Sequence, residues 1–77
     1  MKKRYVYIVE TIEVNVENGY LSNGRYYHTS REIIKEQHFF YLKKKADAYY
    51  SEIGGMNLLT INDNLYYFNR IRREEMR

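Results

Sequence analysis

Over residues 4–17 the chain reads RYVYIVETIEVNVE, with Val6, Ile8, Ile12, Val14 and Val16 on even positions and Thr11, Glu13, Asn15 and Glu17 on odd ones. A period of two sends successive side chains to opposite faces, so the spacing predicts a strand. Tyr5, Tyr7 and Val9 make its first half apolar on both sides, and Glu10 interrupts the even set. Either both faces are covered there, or a bulge shifts the phase. Asn18-Gly19 and Asn23-Gly24 bracket Tyr20, Leu21 and Ser22. Asn-Gly pairs accept the positive φ of tight turns, which predicts a hairpin connection over 18–24. A second strand resumes over 25–29 with Tyr26 and Tyr27.

Residues 30–53 admit two readings. One long helix places Ile34, His38, Tyr41, Lys45, Tyr49 and Ile53 on a single stripe, of which His38 and Lys45 are poor core residues. The other continues the second strand through Ile33, Ile34 and Phe39 or Phe40, then starts a shorter helix near Leu42. The second reading is preferred, because Ala46, Tyr49, Tyr50 and Ile53 then make an i, i+3, i+4, i+7 stripe. Gly54-Gly55 supplies a left-handed stop for that helix. Residues 57–61 and 65–72 read as two further strands around Asn62-Asp63-Asn64, which tolerate turn geometry. The order is ββαββ: an α+β two-layer domain, a four-stranded antiparallel sheet with one helix on one face.

Length fits this. The 77 residues hold a single domain over 1-77, with basic ends at 1-4 and 73-77 that can fray. There is no Cys to staple so small a core, so stability must come from packing or from oligomerisation, and a homodimer is an open expectation. The aromatic and β-branched content excludes a disordered chain despite a mean hydropathy of -0.76. No apolar run approaches the roughly 20 residues of a membrane span, and the basic start leads into alternation rather than an apolar signal core. The expected location is cytoplasmic, with no membrane partner.

Charge changes the picture less than the total implies. The net charge is +3, but residues 5–69 are net negative, so the basic pI is made largely by the two ends. Lys43, Lys44 and Lys45 stand at the expected helix start, where they oppose the helix dipole; a phosphate or a carboxylate-rich partner would relieve that. A solvated helix start is the plainer reading. Only His28 and His38 offer imidazole ligands, ten residues apart, and no metal or other cofactor is expected. Ser30, His28 and Asp63 can be written as a triad, but no nucleophile-elbow pattern accompanies them. A small ribonuclease toxin resembles this chain in size and in its Lys, Arg, Tyr and His usage, yet such an enzyme must grip RNA with a body that here is net negative. The expectation is a protein without catalytic residues.

Ten tyrosines and three phenylalanines in 77 residues are the most unusual feature of the composition, and Tyr-Tyr recurs at 26–27, 49–50 and 66–67. In a strand one member of each pair faces out. Tyr26 or Tyr27 and Tyr66 or Tyr67 would then line the open sheet face near Arg25, Arg70 and Arg72. Such a face suits a protein partner, since Tyr and Arg are enriched at binding hot spots. It also suits bases, which stack on aromatic rings. The alternative to both is tyrosine standing in for missing Leu and Phe in a small core. The candidate partner-binding set is Tyr26, Tyr27, Tyr66, Tyr67, Arg70 and Arg72; the candidate nucleic-acid set is Lys43, Lys44, Lys45, Arg25, Arg70 and Arg72.

The segment Phe40-Tyr41-Leu42-Lys43-Lys44-Lys45-Ala46-Asp47-Ala48-Tyr49 resembles the strand-to-helix junction of many small phage and prophage proteins. With the opening KRYVYIVE strand and the Lys, Asn, Ile and Tyr-rich usage, the chain is similar to small early proteins of phages that infect low-GC bacteria. The resemblance covers ten residues and transfers no functional residue. It implies a host-takeover or anti-defence inhibitor, the anti-CRISPR type included, which blocks a host protein or nucleoprotein complex by occupying a surface. The alternative is a single-stranded nucleic-acid-binding protein.

Overall fold

The computed structural model describes residues 3–76. Its elements run β1 (Arg4–Tyr20), β2 (Tyr26–Phe40), α1 (Lys43–Glu52), β3 (Leu59–Asn62) and β4 (Leu65–Met76). All pairings are antiparallel, and the sheet order is β2-β1-β4-β3. The ββαββ order and the single helix on a four-stranded sheet are those the pattern predicts. Strand and then helix is the correct reading of residues 30–53.

Several boundaries move. β1 continues past residue 17 to Tyr20, so Asn18-Gly19 lies in a strand and does not turn. Gly19 pairs with Tyr27, whose ring lies over the glycine backbone; a Cβ there would come within 2.8 Å of the ring. The absence of a side chain serves ring packing rather than a bend. The turn is made around Asn23-Gly24, with Gly24 at φ 84. Gly54 and Gly55, at φ 109 and 55, end α1 as expected. β4 runs on to Met76 and pairs Arg4 with that residue, so Arg4 and residues 73–76 of the basic ends are held in the sheet. Lys3 precedes β1, and Met1, Lys2 and Arg77 lie outside the described residues.

The alternatives posed by Glu10 resolve in favour of coverage on both faces. Ile8 and Val9 are successive residues and each is 1% exposed. β1 keeps an unbroken register with β4, while the bulge falls in β2, where Lys35 is extra between Thr11↔Glu36 and Ile12↔Ile34. That extra residue switches the parity of β2. Ile34 and Phe39, five apart, therefore share the face of Ile12 and Ile8.

α1 lies on the odd face of β1. Tyr49 packs on His38 and Phe40 of β2, at 4.7 and 5.5 Å between ring centroids, and Ala46 of α1 is fully buried. The helix end is fastened by Asn69 of β4, which accepts from Thr11 Oγ1 at 2.9 Å and donates to the Ile53 carbonyl at 3.0 Å. Carbonyls at a helix C-terminus lack partners within the helix, and Asn69 meets one of them.

The shape follows from strand length. Seventeen residues at about 3.3 Å each span roughly 56 Å, and the long axis measures 59 Å, against 28 and 15 Å in the other directions. The radius of gyration is 17.0 Å, where a compact chain of this length would have about 11–12 Å. β4 accompanies β1 only as far as Asn15, and beyond Val16 the first two strands project as a two-stranded arm. Replacing Asn69 by Ala should cost about 1–3 kcal/mol, because Thr11 and the Ile53 carbonyl both lose a partner in a half-buried setting. Urea denaturation should show the midpoint falling with an unchanged slope.

Candidate functional site

The face of the sheet away from α1 carries the even residues of β1. Ile8, Glu10, Ile12 and Val14 run down its centre, paired with Arg72, Arg70, Phe68 and Tyr66 of β4. On the other side they meet Phe39, Gln37, Ile34 and Glu32 of β2. Among the described residues no element lies over this face. Even so, the four central residues are between 0 and 2% exposed, because long side chains of the flanking strands fold across them. Phe39 at 60% and Ile34 at 48% exposure form one rim, and Tyr66, Phe68, Arg70 and Arg72, all half-buried, form the other.

Glu10 sits at the centre of the face as a carboxylate with no accessible surface. Arg70 Nε donates to Glu10 Oε1 at 3.1 Å, Arg72 Nε donates to the same oxygen at 2.9 Å, and Gln37 Nε2 donates to Oε2 at 2.6 Å. Burial opposes the charge, but the hydrogen bonds from Gln37, Arg72 and Arg70 outweigh it and hold the carboxyl below the usual carboxylate range. The cover is one side chain thick, with Arg70 and Arg72 still 40 and 36% exposed, so the carboxylate is shielded rather than deeply interior. Arg72 also donates to Glu74 at 2.6 Å, and Glu74 first, then Glu10, raises its pKa.

The candidate residues separate into distinct places. Tyr66, Arg70 and Arg72 lie along one rim of the open face, with Arg70 and Arg72 joined at Glu10 and Tyr66 four residues from Arg70. Tyr26 shares that face but sits on the arm, opposite Tyr20 and six β1 residues beyond Val14, about 20 Å along the strand. Tyr67 lies on the helix side and donates to Glu13 Oε1 at 2.7 Å; Tyr27 is on that side too and donates to Glu17 at 3.2 Å. Of the nucleic-acid set, Lys43 pairs with Asp47 at 2.8 Å on the helix, Lys44 and Lys45 are exposed there, and Arg25 is in the arm turn. The six cations therefore occupy three locations and form no continuous stripe.

The arm is itself built of polar and aromatic contacts. The Tyr20 and Tyr26 rings meet edge to face at 5.7 Å, and Asn18 accepts from Tyr26 and contacts His28. A groove of about 540 Å³ opens on the helix side between Ile53, Leu58, Leu59, Tyr67 and Asn69. Its lining is mainly apolar. Among the described residues no group of three or more His, Cys, Asp or Glu is placed to hold a metal ion, and no helix is long and apolar enough to cross a membrane. His28 is on the arm and His38 beneath the helix, so the geometry does not join them.

Comparison with family models, curated proteins and solved structures finds no match to this chain.

Glu10 was visible in the sequence as an interruption of the apolar set, and its role follows from register, which alternation within one strand does not encode. Its contribution to stability has a definite sign. The folded pKa lies below the unfolded one, so the contribution is present above the unfolded value, about 4.3 for Glu, and is lost as pH falls through the folded value. Glu10→Gln should cost about 1.5–3 kcal/mol at neutral pH by removing charge-assisted hydrogen bonds. The gap between variant and wild type should narrow on acidification, as read by urea midpoints across the acid range.

Proposed function

We propose that this protein is a non-enzymatic binding module that acts by occupying a surface of a host protein or nucleoprotein complex, in the manner of a phage-type inhibitor. The observation that carries the reading is the sheet face left without a second layer, with exposed Phe39 and Ile34 facing Tyr66, Arg70 and Arg72 across a central carboxylate. Tyr, Phe and Arg are residue types enriched at protein contacts, and all three stand on this face. The resemblance of residues 40–49 to phage early proteins supports a host complex as the partner class, and inhibition by coverage as the mode of action.

Arg70 and Arg72 count toward a protein partner more than toward nucleic acid. Each guanidinium already bonds Glu10, and Lys43 already bonds Asp47, so phosphate contacts would have to compete with internal carboxylates. Ion-paired arginines with free edges serve instead as planar, oriented donors to a protein surface. Compact single-domain dimensions are not needed for such a role. The excess of surface is itself a resource: the accessible area is 6518 Å², whereas a compact chain of 9.5 kDa exposes roughly 5,000 Å².

The test is an affinity capture from a host-type lysate, split into nuclease-treated and untreated halves. The same protein complex should be retained in both, and Tyr66→Ala or Phe39→Ala should weaken its retention at least about tenfold, as truncation of a hot-spot aromatic does. Binding should change little between low and moderate salt. Loss of every retained species with the nucleic acid, together with a steep salt slope that R70A/R72A flattens, would install the single-stranded nucleic-acid reading instead.

A further inference from the structure

Asn-Gly occurs twice in the chain, at 18–19 and 23–24, and the fold puts the two pairs in opposite settings. An asparagine before a glycine is open to an uncatalysed reaction in which the glycine nitrogen attacks the side-chain amide carbon and closes a five-membered imide. Glycine favours it, having no side chain to obstruct the ring and a backbone that turns freely. Closure requires the asparagine ψ to rotate, so neighbouring backbone hydrogen bonds set its cost. Asn18-Gly19 lies inside the β1–β2 ladder, opposite His28 and Tyr27. Val16 N–H donates to the Asn64 carbonyl on the β4 side, and Leu21 N–H donates to the Arg25 carbonyl across the hairpin. By alternation Gly19 N–H points to β2 and is held in its pairing with Tyr27. The Tyr27 ring also covers Gly19, and the Asn18 side-chain oxygen accepts from Tyr26 and contacts His28.

Asn23-Gly24 stands at the tip of the arm, outside the ladder, and both residues are exposed. Gly24 has φ 84, and nothing lies within 4 Å of the place where a side chain would be, so water and base reach its nitrogen freely. Gly24 N–H donates to the Leu21 carbonyl at 2.9 Å within the turn. A bond at the exposed tip of a two-stranded arm opens at little cost, whereas rotating Asn18 pulls Gly19 out of a paired strand. Arg25 N–H donates to Asn23 Oδ1 at 3.0 Å, which folds the side-chain amide back along the chain toward the Gly24 peptide and draws electron density from its carbon.

We propose that Asn23 is a site of spontaneous modification, converting to aspartate and isoaspartate through an imide with Gly24 while Asn18 stays intact in the folded protein. The Gly24 nitrogen gives up its proton and bonds to Asn23 Cγ, the Cγ–Nδ2 bond breaks, and ammonia leaves after taking a proton from water. Water then opens the imide at either carbonyl. Both products add a negative charge beside Arg25 at the arm tip. Isoaspartate also inserts a backbone carbon into the turn that the Leu21 N–H and the Arg25 carbonyl close at 2.7 Å, next to the Tyr20–Tyr26 ring pair. The reaction needs no partner and is independent of the binding role proposed above.

The experiment is incubation of the full chain at mildly alkaline pH, folded in buffer and unfolded in guanidinium chloride, followed by a protease digest at acid pH and tandem mass spectrometry that separates aspartate from isoaspartate. In the folded chain Asn23 should convert at least about tenfold faster than Asn18, the ratio that about 1.4 kcal/mol of additional opening cost gives. In guanidinium chloride the two rates should converge, and isoaspartate should accompany aspartate at both positions. Asn23→Gln, whose longer side chain closes a six-membered ring far more slowly, should remove the acidic species that ion exchange resolves from the aged folded protein. Equal conversion of Asn18 and Asn23 in the folded chain overturns the proposal. So does an Asn23 that stays intact when folded yet converts when unfolded, or aspartate formed at 23 without isoaspartate, which would mean direct hydrolysis in place of the imide.

Discussion

Everything in this molecule hangs on a central strand that is apolar on both sides and has a cover long enough for only part of one. β1 is 17 residues long and α1 is ten, so at about 1.5 Å per helical residue the helix spans roughly 15 Å of a strand of some 56 Å. The remainder must be shielded by the sheet's own side chains. Tyr27 lies over Gly19, Tyr67 reaches Glu13, and Arg70, Arg72 and Gln37 close over Glu10. Each is a long side chain from a flanking strand, anchored by a polar tip while its body covers β1. Tyrosine suits this use because it offers a large apolar surface and a hydroxyl that finds a partner at the rim. The ten tyrosines are therefore partly a structural answer to the shortage of layers.

The carboxylate at the centre of the open face shapes that surface more than it strengthens the fold. Charge pairs removed from water often contribute little net stability, since desolvation offsets attraction. What Glu10 does is tether two arginines and divide the apolar strip into an Ile8–Phe39 patch and an Ile12–Phe68–Ile34 patch. A continuous apolar face would invite indiscriminate association. Interrupted by an oriented ion cluster, it presents guanidinium edges that a partner would have to satisfy under the proposed binding role.

The fold was legible because its signals are local. Alternation over residues 4–17, the Asn23-Gly24 turn, the Ala46, Tyr49, Tyr50 and Ile53 stripe and the Gly54-Gly55 stop each act within a few residues. What escaped was set by neighbours in space. Asn18-Gly19 has the composition of a turn but pairs with His28 and Tyr27 in the ladder, and the Tyr27 ring takes the room a side chain at 19 would need. The bulge at Lys35 leaves no mark in composition, and without it Phe39 would be assigned to the wrong face. Tyr26, Tyr27, Tyr66 and Tyr67 look equivalent in sequence, and only the register separates the two on the open side from the two on the helix side. Glu10 stood out, but its partners lie 27, 60 and 62 residues away. Lys43 reads as an exposed cation until its one-turn partner Asp47 is considered.

A thickness of 15 Å also bears on what kind of work the chain can do. The helix-side groove is open to solvent and lined mainly by apolar groups. Under the proposed binding role such thinness serves contact. Surface per residue is high, both sheet edges and one face are accessible, and the two-stranded arm carries Tyr20 and Tyr26 beyond the body. An isolated hairpin is marginal in water, so the arm gains order from any partner that lies along it. An architecture that spends so few layers on its own interior is economical when part of its core is completed by another chain.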